Sequence, residues 1–257
     1  MNHTRRNFLK FAGLTAAGLC TAGAGGVFAA AGSGSSVKEG EKALKAKRWA
    51  MVIDTKKCGT KEAIDALAKA CHSWHNVPDI PGKQNVKWIW AAGFEQAFDQ
   101  PNDHLDEELE KRQFVMLCNH CNNAPCVRAC PTQATFKRPD GIVAMDYHRC
   151  IGCRFCMAAC PFGARSFNFM EPRLHLDLTK LNKLFPTRMR GVVEKCNFCV
   201  DRLADGKQPA CVEASNGALV FGDLTDTNSE VRKLLREHYT IRRKPSLGTE
   251  PSVYYII

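Results

Sequence analysis

Fourteen cysteines in 257 residues are too many for packing alone. Eleven of them fall into three dense groups. Cys118-x2-Cys121-x4-Cys126-x3-Cys130-Pro131 and Cys150-x2-Cys153-x2-Cys156-x3-Cys160-Pro161 are near-repeats. Three cysteines on a tight loop can wrap three irons of a cubane cluster. The fourth, expected at the start of a helix, points away and serves the neighbouring cluster. Crossed ligation then gives cluster A on Cys118, Cys121, Cys126 and Cys160, and cluster B on Cys150, Cys153, Cys156 and Cys130. Zinc and disulfides are the competing uses of cysteine. A structural zinc site pairs two CxxC units across a longer loop, and disulfides impose no repeated rhythm, so the spacing favours iron–sulfur.

The remaining cysteines form a broken copy of the same plan. Cys196-x2-Cys199-x11-Cys211-x3-Ser215 has three ligands and a serine where the fourth belongs. Upstream, Cys58 and Cys71 preserve the first and last cysteines of a motif and lack the middle two. The defects are complementary. If these motifs also exchange their fourth ligands, Cys196, Cys199, Cys211 and Cys71 complete cluster C, and the other site retains only Cys58 and Ser215. Twelve of the fourteen cysteines are then ligands to three 4Fe–4S clusters, and the fourth site is lost.

Such cofactors bear on the charge. The formal net charge is +10. Each 4Fe–4S cluster with its thiolates carries about −2, so three of them cancel much of the basicity. Aromatic and basic residues are not interleaved in any nucleic-acid-binding pattern, so no nucleic acid is expected.

Positioning these loops requires framing elements, which begin after an N-terminal address. Thr4-Arg5-Arg6-Asn7-Phe8-Leu9-Lys10 has the twin-arginine form, followed by an Ala/Gly-rich stretch to Ala31 that reads as a Tat export signal over 1–31. Six glycines from Phe11 through Gly32 inclusive make it a poor membrane span. The Tat route carries folded protein, which suits a cofactor inserted before export. Cys20 lies within the signal, lacks a lipobox neighbour and reads as inert.

A linker at 32–48 leads to a strand at Trp49–Asp54 and a helix from Thr60 to Cys71 with Ile64, Leu67, Ala68 and Cys71 on one face. Val86-Lys87-Trp88-Ile89-Trp90 reads as a strand-like stretch of buried core. Phe136 to Asp146 reads as a hairpin turning at Pro139-Asp140-Gly141. Asn228 to Tyr239 has helical character with Val231, Leu234 and Leu235 apolar. Arg242-Arg243-Lys244 reads as a solvated tail. His120, Arg149 and Lys195 adjoin ligands and are assigned no role.

The expected fold is α+β, with tandem bacterial-ferredoxin-like modules carrying loop insertions. Residues 49–111 and 191–227 make one module with one cluster and one lost site, 112–190 make a second with two clusters, and 228–257 form a C-terminal helix and tail.

Several segments together resemble the four-motif iron–sulfur subunits of membrane-bound respiratory oxidoreductases, such as those of dimethyl sulfoxide reductase, polysulfide reductase and hydrogenase complexes. The segments are Cys118-Asn119-His120-Cys121, Asp146 to Cys153, Glu194 to Cys199, Pro209 to Glu213 and Phe221 to Leu224. Usual members carry four clusters, and the gaps at Cys58 and Ser215 depart from that pattern. With the export signal and no C-terminal membrane helix, the chain is most similar to the ferredoxin-like subunits of dissimilatory sulfur-metabolism DsrMKJOP complexes. The resemblance implies a periplasmic electron relay, membrane-associated through a quinone-interacting NrfD-type integral membrane subunit, with a multihaem cytochrome c alongside. A relay for a molybdenum reductase or hydrogenase is the alternative. An active site of its own is disfavoured, since the clustered cysteines are consumed as ligands and neither a Cys–His nucleophile pair nor a Gly-rich nucleotide loop is evident.

Overall fold

A computed structural model describes residues 40–98 and 104–257. The twin-arginine segment, Cys20 and the Gly/Ser part of the linker lie outside the described residues.

The central sheet begins with β1 (Trp49–Asp54), an unbroken apolar run from Trp49 to Ile53 that ends in Asp54. It pairs antiparallel with β8 (Leu219–Asp223), placing Met51 opposite Phe221. On its other edge it pairs parallel with β10 (Val253–Ile256), and β9 (Thr240–Ile241) closes the order β8-β1-β10-β9. Side chains alternate along a strand, and β1 uses both faces. Trp49, Met51 and Ile53 enter the main core, while Ala50 and Val52 pack under Val231 of helix α8 (Glu230–Glu237). Coverage on both faces explains why β1 lacks polar alternation.

Three two-stranded ribbons complete the frame: β2 (Ile89–Ala92) with β3 (Phe114–Leu117), β4 (Thr135–Lys137) with β5 (Val143–Met145), and β6 (Ser166–Phe167) with β7 (Val193–Glu194). Each cysteine motif follows a strand: Cys58 after β1, Cys118 after β3, Cys150 after β5 and Cys196 after β7. Each is followed by a helix and then a closing strand. The closing strand of each repeat pairs antiparallel with the opening strand of the next, and β8 returns to β1. The four repeats therefore form a ring.

The helix after Cys58, α1 (Lys61–His75), is capped by Thr60, whose side chain accepts from the Ala63 amide at 3.2 Å. It runs one turn beyond the expected end and stops at Asn76 in the left-handed conformation. Ile64, Leu67, Cys71 and His75 are its buried face. The aromatic stretch is core as expected: Val86, Trp88 and Ile89 are buried, although the strand itself starts at Ile89. The hairpin and the C-terminal helix also occur where the sequence places them. Arg243 does not match the reading of a solvated tail. It is buried, its Nε donating to the Ala97 carbonyl at 2.7 Å and its guanidinium lying over the Phe162 ring.

Candidate metal centres

The Cys118–Cys121 turn leaves β3 through His120, whose φ of +43° closes the loop tightly. Pro125 then starts α4 (Pro125–Arg128), fixing the first-turn geometry around Cys126. In the next repeat Gly152 is required: its φ is +71°, and a Cβ there would come within 2.4 Å of the Gly191 carbonyl oxygen. Cys156 lies in α5 (Phe155–Ala159). The fourth cysteines are not at helix starts. Cys160 caps the C-terminus of α5, and Cys130 follows α4. A three-residue spacer is one helical turn, so the fourth cysteine falls at its end, and Pro131 and Pro161 forbid continuation.

Thiols gather in neighbourhoods: Cys118, Cys121, Cys126 and Cys160 in the first, Cys150 with Cys156 in the second, and Cys71, Cys196, Cys199 and Cys211 in the third. Burial pushes the Cys121 thiol up to about 12, with Cys118, Cys126 and Cys160 adding to it as neighbours. Burial also raises Cys160, beside Cys118 and Cys126. Cys156 is raised by burial and senses Cys126 and Cys150. Cys71, fully inside, is raised well above the ordinary thiol range by burial and then by Cys199, Cys196 and Cys211. The Cys196 thiol, pushed up to about 12 chiefly by burial, is next to Cys118 as well as Cys211. Cys130 and Cys153 are half-buried. Cys130 is tempered by hydrogen bonds, its Sγ accepting from the Thr135 amide at 3.4 Å. The neighbourhoods lie in series, linked by Cys126 with Cys156 and by Cys118 with Cys196.

A cubane fits the first neighbourhood. Cys118, Cys121, Cys126 and Cys160 line a narrow cavity together with Asn119 and Arg165. Both amide atoms of Asn119 and Nη2 of Arg165 are buried without a hydrogen-bond partner. The two donors among them, Asn119 Nδ2 and Arg165 Nη2, are costly to leave unpaired unless something accepts from them, and cluster sulfurs accept hydrogen bonds. Among the described residues no group of three or more His, Cys, Asp or Glu side chains converges on a single-ion site. Thiolates around a cubane each bind a different iron and need no such convergence.

Cys58 and Ser215 are satisfied by backbone. The Ser215 hydroxyl donates to the Val212 carbonyl at 2.7 Å and accepts from the Leu219 amide at 3.0 Å. Cys58 Sγ donates to the Asp54 carbonyl at 3.1 Å. Arg112 is buried against this loop: its Nη1 donates to Thr55 Oγ1 at 3.1 Å, and a Cβ on Gly59 would meet its Cγ at 2.8 Å.

Other residues near the thiols are harder to find in the sequence. Arg165 and Asn119 carry no signal beyond proximity to a motif. Lys195 is wholly buried, donating to the Val143 and Cys196 carbonyls. His120 stacks on Phe198 at 3.7 Å between ring centroids, and its Nδ1 accepts from the Val143 amide. The two rings occupy the same position in two Cys-Asn-x-Cys turns. Arg149 is exposed beside Asp146 at 3.4 Å.

Residues 110–174 match the family model of a 4Fe–4S dicluster domain. The iron–sulfur subunit 1 of an Hdr-like menaquinol oxidoreductase from Archaeoglobus fulgidus is 38% identical over 98% of this chain and 97% of its own length. The protein belongs to the ferredoxin-like iron–sulfur subunits of respiratory oxidoreductases. Two further members are a tetrathionate reductase subunit of Salmonella typhimurium, 33% identical over 100% of this chain and 89% of that protein, and a polysulfide reductase component of Wolinella succinogenes, 35% identical over 82% and 95%. Membership makes 4Fe–4S clusters the cofactor and electron transfer the activity. No helix among the described residues is long and apolar enough to cross a membrane.

Proposed function

We propose that the chain relays single electrons through three 4Fe–4S clusters, in the order B, A, C. It would do so as the periplasmic subunit, DsrO-like, of a dissimilatory sulfur-metabolism complex of the DsrMKJOP kind. Cluster B takes Cys150, Cys153, Cys156 and Cys130; cluster A takes Cys118, Cys121, Cys126 and Cys160; cluster C takes Cys196, Cys199, Cys211 and Cys71. Electrons pass between an NrfD-type membrane subunit at a quinone site and a redox partner such as a multihaem cytochrome c. The module at 112–190 holds two clusters, and that at 49–111 with 191–227 holds one.

The observation that carries this reading is the serial order of the thiol neighbourhoods, together with a fourth position where Cys58 and Ser215 are both bonded to backbone. Relatives named for menaquinol oxidation, tetrathionate reduction and polysulfide reduction support a quinone-linked sulfur context. The last two, named as reductase subunits, favour a second reading, a relay within a reductase complex, which we take to be a molybdenum enzyme. Iron and acid-labile sulfide analysis of the purified protein, with EPR of the reduced state, is expected to give about twelve irons. A content of about sixteen would overturn the lost site. Co-purification of the tagged chain from its membranes separates the two readings: an NrfD-type subunit with a multihaem cytochrome supports the first, and a molybdenum subunit supports the second.

A further inference from the structure

Arg165 is 5% exposed. Among the described residues no carboxylate pairs with it. Its Nη1 donates to Thr135 Oγ1 at 3.1 Å and approaches Met145 Sδ at 3.6 Å, while Nη2 has no partner. An isolated guanidinium in such a place is strongly disfavoured unless negative charge neutralises it. Buried Arg188 provides the contrast, since it pairs with Glu194 at 2.7 Å. The groups that bear electrostatically on Arg165 are sulfurs: Cys126, Cys156 and Cys118. The guanidinium also lines the cavity enclosed by Cys118, Cys121, Cys126 and Cys160.

We propose that Arg165 is a positioning residue shared by clusters A and B, a single fixed cation that raises the reduction potential of both. The inference rests on the ligand assignment above, which places Cys126 and Cys156 in different clusters. On reduction each cluster gains one electron and one negative charge, with no bond made or broken. A fixed cation beside the sulfurs favours the more negative state. Because one cation faces both clusters, it biases them in the same direction and leaves cluster C, whose cysteines are not among the sulfurs acting on it, largely untouched. Thr135 holds the guanidinium in place through Nη1.

The test is an EPR-monitored redox titration of the full cluster-loaded protein. In Arg165→Gln the reduction constants of two clusters are expected to fall at least tenfold, a drop of ~59 mV each, while the third stays within threefold. Arg165→Lys, which keeps the charge, is expected to restore most of the difference. Unchanged potentials in a fully loaded Arg165→Gln protein, or an equal shift of all three clusters, would overturn the proposal. Should Arg165→Gln fail to load, Thr135→Val decides, because it keeps every cysteine and the cation but releases Nη1. A two- to threefold fall confined to the same two clusters supports the role, and no change refutes it. Iron content, measured on the same samples, reports separately on the ligand assignment.

Discussion

Cations buried without carboxylates bear most directly on the cofactors, and three are present among the described residues. Arg165, Lys195 and Arg243 are each at most 5% exposed, and among the described residues none forms an ion pair with Asp or Glu. Lys195 and Arg243 rest on backbone carbonyls. The chain's excess of basic residues is thus partly internal, where negative clusters can use it. At the same scale, the two non-motif cysteines among the described residues have opposite surroundings. Cys71 sits among three other thiols, whereas Cys58 is bonded to its own loop. Cys71→Ser is expected to reduce the iron content from about twelve to about eight, or to leave an altered cluster, with one EPR signal changed. Cys58→Ser is expected to retain all three clusters. The reverse result would show that the ligand exchange was misassigned.

At the scale of elements, the helices carrying cysteines are mostly single turns of four or five residues, too short to be stable alone. Their geometry is held by flanking strands, prolines and the clusters. The exception is α1, with 15 residues and a side-chain cap. Because it delivers Cys71 to the third neighbourhood, its stability and cluster C are linked. Thr60→Ala removes the cap and should cost ~1 kcal/mol, lowering the melting temperature measured by circular dichroism. During a chelator challenge, one third of the iron is expected to leave first. A variant melting as before with uniform iron loss would separate the helix from the cluster.

At the scale of the whole molecule, the ring of repeats closes through β1, and the last strand of the chain inserts beside it. Tyr255 at the centre of β10 is fully buried, its hydroxyl donating to the Val115 carbonyl at 2.9 Å, which ties the sheet to the strand leading into Cys118. Tyr255→Phe removes this buried hydrogen bond, and the loss should be ~1 kcal/mol in urea unfolding. Deletion of residues 253–257 removes a strand lying between β1 and β9. It is expected to abolish cooperative unfolding and cluster retention together, assayed by near-UV circular dichroism and iron content. A truncated protein that keeps about twelve irons would show the sheet to be dispensable.

Cysteine spacing alone determined the cofactor class, because wrapping a cubane demands a local rhythm that neither zinc nor disulfides share. Apolar periodicity and turn residues also foretold β1, the hairpin after Cys130 and the amphipathic face of α1, each governed by short-range chemistry. The tertiary structure decided what depends on distant neighbours. It set Cys71, which the complementary defects had already assigned to that group, beside Cys196, Cys199 and Cys211, more than a hundred residues along the chain. It placed the tail strand in the central sheet. It buried Arg165, Lys195 and Arg243, which as isolated letters look like ordinary surface cations. A charge is read as exposed until folding shows what surrounds it, whereas a ligand loop carries its geometry in its own spacing.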